Sequence, residues 1–369
     1  MRTLGLGMII RQSADTLEQV LQNAVDSGVT EIVLVDTEPG GSQDGTKEIA
    51  ATFNAKLILE PWEDNFAKHR NTAFENLTTD WYIWLDSDDV VPELTQQTIK
   101  QMLLDETLEQ FNGFFLPYQM FKSYDSDQSS CTFPRERIIA AKAFKGGSRW
   151  EYEIHECVPL QQPTAAIEQP IHHRPRPGKF KTPKRNLKIL QRLYDSGDRQ
   201  PRMIFYYARE LYWNKMYNKA IKMFNEWMPT KPCDWELYSG MLDLADCYVL
   251  SGKEDKARET IMKLLMDQPE RAEAWMKMGI LHYSKKDYGK ALPFFKAAQG
   301  LRKPDKGFVD ENAYGIQAWD YLACSFGWCG YYQEARQITE QVLIPNSQGK
   351  ELVRHLDNLK MYVQKMEEL

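Results

Sequence analysis

The feature that most constrains this chain is the alternation of short apolar runs and amphipathic stretches over its first ninety residues. Leu4–Ile10, Glu31–Asp36, Lys56–Leu59 and Asp80–Leu85 are short, mainly apolar segments, the last of them rich in aromatic residues, the pattern of strands. Between them, helices are expected from Ser13 to Ser27, from Thr46 to about Phe53 and over residues 67–77. Ser13 or Asp15 can cap the first, and Gly28 stops it. Glu31-Ile32-Val33-Leu34-Val35-Asp36 is apolar almost throughout, as in a strand buried on both faces of a parallel sheet. A βαβαβαβ order implies a doubly wound, Rossmann-like, mostly parallel sheet. Ligands of such sheets bind outside the carboxyl ends of the strands.

Two of these strands end in acids. Asp36 closes one. The stretch Asp80-Trp81-Tyr82-Ile83-Trp84-Leu85-Asp86-Ser87-Asp88-Asp89 closes the other, with three carboxylates in four positions. Carboxylates that close repel one another unless a cation sits among them. Mg²⁺ and Mn²⁺ take oxygen ligands and commonly bind through one or two carboxylates plus substrate phosphates. A metal–diphosphate site is therefore expected here. The plainer alternative is a polar turn in which Asp88 or Asp89 caps the helix that follows. The position of Asp36 and Asp86–Asp89 at strand ends favours the ligand site.

Four blocks carry a family resemblance. They are Val35-Asp36-Thr37; Ser42-Gln43-Asp44-Gly45-Thr46; Trp62-Glu63-Asp64-Asn65-Phe66-Ala67-Lys68-His69-Arg70-Asn71; and Trp84-Leu85-Asp86-Ser87-Asp88-Asp89. In order and spacing they resemble family-2 glycosyltransferases of the GT-A fold, and most of all those that carry tetratricopeptide repeats. One departure is the loop after Asp36, lengthened by Glu38-Pro39-Gly40-Gly41. The resemblance implies that Asp36 reads the nucleotide base. It implies that Asp64 and Arg70 lie near the nucleotide and diphosphate, that Asp86 lies near the ribose or donor sugar, and that Asp88 ligates the metal. Two roles are open for Asp89, a second ligand or a helix cap. Taken singly, Asp64 would read as an N-cap and Arg70 as a surface ion-pair partner.

A second cluster, Trp150-Glu151-Tyr152-Glu153-Ile154-His155-Glu156, resembles the block that closes this family's catalytic domain. An inverting transfer needs a base for the acceptor proton; Glu156 is the first candidate and His155 the second. Without the resemblance, Tyr152–His155 would read as an edge strand. The resemblance also implies a histidine near the metal or diphosphate, a place His172 or His173 would fill. From His172 to Arg192 the chain holds eight Lys/Arg, two His and no acid. This basic segment can act as a lid over the diphosphate, as a linker, or as a contact for an anionic acceptor such as DNA.

Beyond residue 185 the pattern becomes helical and repetitive. Phe205, Ala208 and Tyr212 with Ala220 and Phe224; Ala245 with Ala257 and Ile261; Trp275, Gly279 and His282 with Ala291 and Phe295; and Trp319, Leu322, Ala323 and Phe326 with Ala335 make four copies resembling the tetratricopeptide repeat. Ala257 and Ala291 are 34 residues apart, the period of that repeat. A loop around Arg302–Gly307 delays the fourth copy, and a helix over residues 351–367 closes the stack. Stacked helix pairs of this kind can bind a protein or a second copy of the chain.

Composition excludes little beyond disorder, with 43% hydrophobic and 27% charged residues. A net charge of −6 argues against a general nucleic-acid coat. Six cysteines without a CxxC pair, and no apolar span of membrane length, lead to the expectation of a cytoplasmic protein with reduced thiols. The expected organisation is a GT-A-type α/β catalytic domain over 1–183 and an all-α repeat domain over 184–369. Its expected chemistry is an inverting, Mn²⁺- or Mg²⁺-dependent transfer from a nucleotide-sugar, by resemblance a UDP-sugar. The acceptor would be a protein, a peptide or a glycan, or hydroxylated bases in DNA. The competing class is a non-catalytic repeat protein attached to a dead domain.

Overall fold

In the computed structural model, the four expected strands form as β1 (Leu4–Ile10), β2 (Val29–Asp36), β3 (Lys56–Leu59) and β4 (Trp81–Trp84). They pair in parallel in the order β3-β2-β1-β4. The helices between them are α1 (Ala14–Asp26), α2 (Thr46–Thr52) and α3 (Phe66–Glu75). Residues 2–123, 125–126, 129–175, 184–304 and 307–368 are described. The chain divides into two units, Met1–Asp198 and Arg199–Leu369. The division falls after the 183/184 boundary expected from sequence, so α6 (Arg185–Asp195), like the short α5 (Ala141–Lys145), lies in the first unit.

The sheet of the first unit continues past β4 with β5 (Asp89–Val90), β6 (Gly113–Phe121), β7 (Ser129–Ala140), β8 (Thr164–Ala166) and β9 (Ile171–His173). Strand β7 joins β4 antiparallel and β6 joins β7 antiparallel, while β9 runs parallel to β6 and antiparallel to the short β5. The sheet is mostly parallel where the strand–helix alternation is regular, and mixed beyond it. Alternation along β1 separates its two faces. Leu4, Leu6, Met8 and Ile10 pack with Leu17, Val20 and Leu21 of α1. Gly5 and Gly7 face the other layer; a Cβ on Gly7 would stand 2.6 Å from the Phe74 ring. The missing side chain lets α3 approach the sheet, where Phe74 joins Val33, Val35, Tyr82, Trp84 and Trp150 in a second core.

Two plainer readings of the sequence do not hold. The segment Tyr152–His155 is no edge strand. Only Glu151 and Cys157 form an isolated bridge, and Tyr152 and His155 have φ of 71° and 52°, left-handed conformations that a strand excludes. Asp89 caps no helix, because α4 (Glu93–Met102) starts from Pro92 and Asp89 is itself in β5.

The second unit is built of helix pairs: α7 (Pro201–Trp213) with α8 (Tyr217–Trp227), α9 (Asp234–Leu250) with α10 (Glu254–Asp267), and α11 (Ala272–Ser284) with α12 (Tyr288–Gln299). The short α13 (Glu311–Tyr314) precedes a further pair, α14 (Ile316–Trp328) with α15 (Tyr332–Ile338), and α16 (Gly349–Glu367) closes the stack. The repeat positions Phe205, Ala208, Ala220, Phe224, Ala245, Ala257, Ala291, Phe295 and Ala335 are all fully buried. Residues 305–306 of the inserted loop lie outside the described residues. Small residues in the first helix of a pair meet aromatics of a neighbouring helix: Gly240 meets Trp227, Gly279 meets Phe295 and Gly327 meets Tyr362, with an added Cβ 2.5 Å from each ring. No helix among the described residues is long and apolar enough to cross a membrane. None of the six cysteines is in a disulfide.

These contacts set two opposed effects at Gly279. Alanine gains about 1 kcal/mol of helix propensity there, but its methyl collides with the buried Phe295 ring, and overpacking costs about 1–3 kcal/mol. Gly279→Ala is therefore expected to lower the thermal midpoint of the repeat unit. Gly289→Ala, in α12 with nothing within 4 Å, is expected to leave it unchanged or raise it. Thermal denaturation of both variants checks the pair.

Candidate functional site

The strand ends converge as the sheet topology requires. Asp36, at the end of β2, is fully buried. Its Oδ2 accepts the Ser42 N–H at 2.6 Å, and its Oδ1 accepts the Ser42 hydroxyl and the Glu38 N–H, each at 3.0 Å. The lengthened loop is thus fastened to this carboxylate. The Trp62 N–H donates to the Thr37 carbonyl at 3.0 Å, and the Trp62 indole N–H donates to Asp64 Oδ1 at 2.8 Å. Asp64 is exposed and left-handed, with φ 55°. It caps no helix; the cap of α3 is Asn65, whose side chain accepts the Lys68 N–H.

Helix α3 carries Arg70 over the carboxyl end of β4. Arg70 is no surface residue, being 3% exposed. Its Nε donates to Glu156 Oε1 at 2.8 Å and its Nη2 to Asp86 Oδ1 at 2.7 Å. The guanidinium lies 4.1 Å over the Trp84 ring. Its Nη1 is buried without a hydrogen-bond partner among the described residues. Burial opposes the charge on Arg70, but Asp86 and Glu156 outweigh it and raise the pKa. Burial likewise pushes the two acids upward, and Arg70 more than reverses it, so Asp86 and Glu156 both lie below the usual carboxylate range. The segment that supplies Glu156 is tied to α3, since the Phe66 N–H donates to the Glu153 carbonyl at 2.8 Å. His155 precedes Glu156 in the same loop, at one of the left-handed positions. L-residues pay about 1–2 kcal/mol for that conformation.

The acidic corner is completed from β9. Pairing of β5 with β9 sets Asp89 opposite His173 and Val90 opposite His172. Neighbours on a strand face opposite sides. His173 therefore turns to the acids, its Nδ1 lying 3.4 Å from Asp88 Oδ1 and 3.3 Å from Asp89 Oδ1. His172 turns away and packs on Phe121 at 4.8 Å; burial, with Arg174 nearby, pushes its pKa down to about 4. Asp86, Asp89 and His173 bring ligand-type atoms within 4.8 Å of one another. Asp88 has its pKa raised to about 6 by burial, against the pull of His173 and with the push of Asp89 and Asp86. His173 is pushed up to about 9 because the three carboxylates, led by Asp89, overcome its burial.

The structure thus brings Arg70, Asp86, Asp88 and Glu156 together, sets Asp36 and Asp64 on the β2–β3 side, and turns His173, and not His172, to the acids. Arg137 and Tyr118, which bind Asp89, were not singled out from sequence. The available signal was the charged run Arg135-Glu136-Arg137 leading into Ile138-Ile139 at the end of a strand. Within the basic segment, residues 176–183, with Arg176, Lys179 and Lys181, lie outside the described residues. Arg174 donates to the Ser126 carbonyl and lies 4.0 Å over Phe121, Arg185 lies 4.9 Å over Phe66, and Arg192 pairs with Glu153. These three cations are taken up by their own unit.

Residues 7–111 match the model of glycosyl transferase family 2, a span that includes Asp36, Asp64, Arg70, Asp86 and Asp88. The chain is 38% identical over 89 residues to a TPR repeat-containing protein of Synechococcus elongatus, covering 24% of this chain and 21% of that one. It is 28% identical over 111 residues to an uncharacterized glycosyltransferase of Rickettsia typhi, covering 30% of this chain and 36% of that one. The matches span 21% and 36% of the lengths of these curated relatives. Among solved structures, residues 1–349 of S. aureus TarS in complex with UDP cover 73% of this chain and 92% of that one, at 11% identity and a TM-score of 0.41. A thermophilic TPR protein of Thermus thermophilus covers 50% and 90%, at 16% identity and a TM-score of 0.34. The first unit carries a family-2 glycosyltransferase domain, and the second is a tetratricopeptide-like repeat.

Removing one partner of a buried ion pair costs about 3–5 kcal/mol, because the other charge is left uncompensated. Arg70→Met leaves the buried Glu156 in that position, with Asp86 partly solvated, and is expected to lower the unfolding free energy by about 3 kcal/mol. Urea denaturation measures it.

Proposed function

We propose that this chain is an inverting, metal-dependent glycosyltransferase that moves a sugar from a UDP-sugar to a protein, peptide or glycan acceptor. The observation that carries this reading is the convergence of Arg70, Asp86, Asp88 and His173 at the carboxyl ends of parallel strands, inside and beside the matched family-2 span. The two carboxylates suit Mn²⁺ or Mg²⁺, which take oxygen ligands, and the imidazole adds one nitrogen donor beside them. Asp88 and His173, with Asp86, would hold the ion, which would stabilise the charge of the departing diphosphate.

The remaining roles belong to the chain itself. Asp36 is buried and fastens the loop that would border the nucleotide, with Asp64 beside it. Arg70 offers the diphosphate a cation held rigidly by two acids, with the N–H of Nη1 unspent. Glu156 is in its ionised form at neutral pH because Arg70 lowers its pKa; it accepts the proton of the acceptor hydroxyl while that oxygen bonds to the anomeric carbon and the bond to the diphosphate breaks. His155 is the second candidate for this base. The repeat unit provides a surface for an acceptor protein or a second copy.

Release of UDP from UDP-sugars in Mn²⁺ is the direct test. The chain is expected to turn over at least one such donor, and Asp88→Asn to abolish the release. Failure of the unaltered chain both to release UDP and to bind it would refute the proposal. For the base, Glu156→Gln is expected to lower transfer by about 10²–10⁴-fold while leaving the dissociation constant of the donor nearly unchanged. Equal loss of donor binding would assign Glu156 to holding Arg70 alone.

A further inference from the structure

Asp89 is the most enclosed acid of the corner, with no exposed surface. Its Oδ2 accepts the backbone N–H of Asp86 at 2.9 Å and Nη1 of Arg137 at 3.0 Å. Its Oδ1 accepts the Tyr118 hydroxyl at 2.7 Å and lies 3.3 Å from His173 Nδ1. A carboxylate has about four lone-pair sites, so these contacts fill Asp89. The Asp88 side chain is 25% exposed, and His173 approaches it from one side.

Arg137 is as enclosed as Asp89. It lies between the rings of Trp84, at 3.6 Å, and Tyr118, at 3.9 Å, and Nη1 also donates to the Trp84 carbonyl at 3.2 Å. Its Nε and Nη2 find no hydrogen-bond partner among the described residues. Asp89 is the carboxylate paired with it. A metal that took Asp89 as a ligand would draw charge away from an arginine buried between two rings. The contacts of Arg137 instead run to the end of β4, to Tyr118 of β6 and, through Asp89, to the backbone of Asp86.

We infer that Asp89, Arg137 and Tyr118 form a buried clamp that positions Asp86 and His173, and that Asp89 is a positioning residue and not a metal ligand. The ion falls to Asp88, His173 and Asp86. This inference rests on the metal-dependent donor site proposed above and assigns the division of labour within it.

Calorimetric titration of Mn²⁺ into the full chain saturated with UDP tests the inference, with the thermal midpoint recorded for each variant. Asp88→Asn is expected to abolish Mn²⁺ binding. Asp89→Asn and Arg137→Met are each expected to weaken it by about 10-fold, the size of effect that outer partners of metal ligands have. The double variant Arg137→Met/Asp89→Asn is expected to bind Mn²⁺ no more weakly than Arg137→Met alone, since both changes open the same clamp. Loss of Mn²⁺ binding in Asp89→Asn as complete as in Asp88→Asn would overturn the inference. So would losses that multiply in the double variant, which would give Arg137 a contact of its own with the donor. If the Arg137 variants do not fold, Asp89→Asn against Asp88→Asn decides alone. Absence of Mn²⁺ and UDP binding by the unaltered chain would instead remove the donor site itself, and this inference with it.

Discussion

The first unit depends on one buried cation. Arg70 joins three segments distant in sequence: α3, which carries it; the end of β4, which supplies Asp86; and the loop 150–157, which supplies Glu156. Desolvating a guanidinium to 3% exposure is costly. Two acids and the face of Trp84 together compensate it. The site chemistry and the packing of α3 on the sheet are therefore one arrangement. Gly7 permits the approach of α3, Phe74 fills the space beneath, and Arg70 spends the remaining polarity at the strand ends.

Much of this was legible in the sequence because strand–helix alternation is a local signal. The bounds of β1 and β3 follow from the apolar runs, and Asp36 and Asp86 stand where a parallel sheet must present them. What was not legible depends on register. Whether His172 or His173 faces the acids is fixed by the pairing of Val90 and Asp89 with β9, a partnership between residues more than eighty positions apart. A shift of one residue would exchange the two histidines. The loop 150–157 was obscured differently. Its alternation of apolar and charged residues imitates a strand, while the backbone at Tyr152 and His155 is left-handed, which the one-letter pattern of non-glycine residues does not reveal.

The repeat unit shows the opposite balance. Its order is carried by contacts that recur: a small residue in one helix against an aromatic in a neighbour, as at Gly240, Gly279 and Gly327. A repeated sequence pattern then states the packing directly. Polar contacts between first helices add to it. Arg209 pairs with Asp243, and Lys277 and the Tyr212 hydroxyl share Asp246. Apart from Tyr212, no position in the motif announces these pairs, because they bridge successive repeats and depend on how those stack.

The reach of Arg70 and Asp89 across the sequence has a practical side. The span that matches the family ends at residue 111, yet the counter-ion of Asp89 is Arg137 and one of the two acids on Arg70 is Glu156. A fragment cut at the matched boundaries would keep Asp86, Asp88 and Asp89 while discarding the groups that hold two of them in place. It would carry the family's recognisable letters and a corner of unbalanced charge. The smallest piece able to hold the corner together must extend through β9, where His173 closes it.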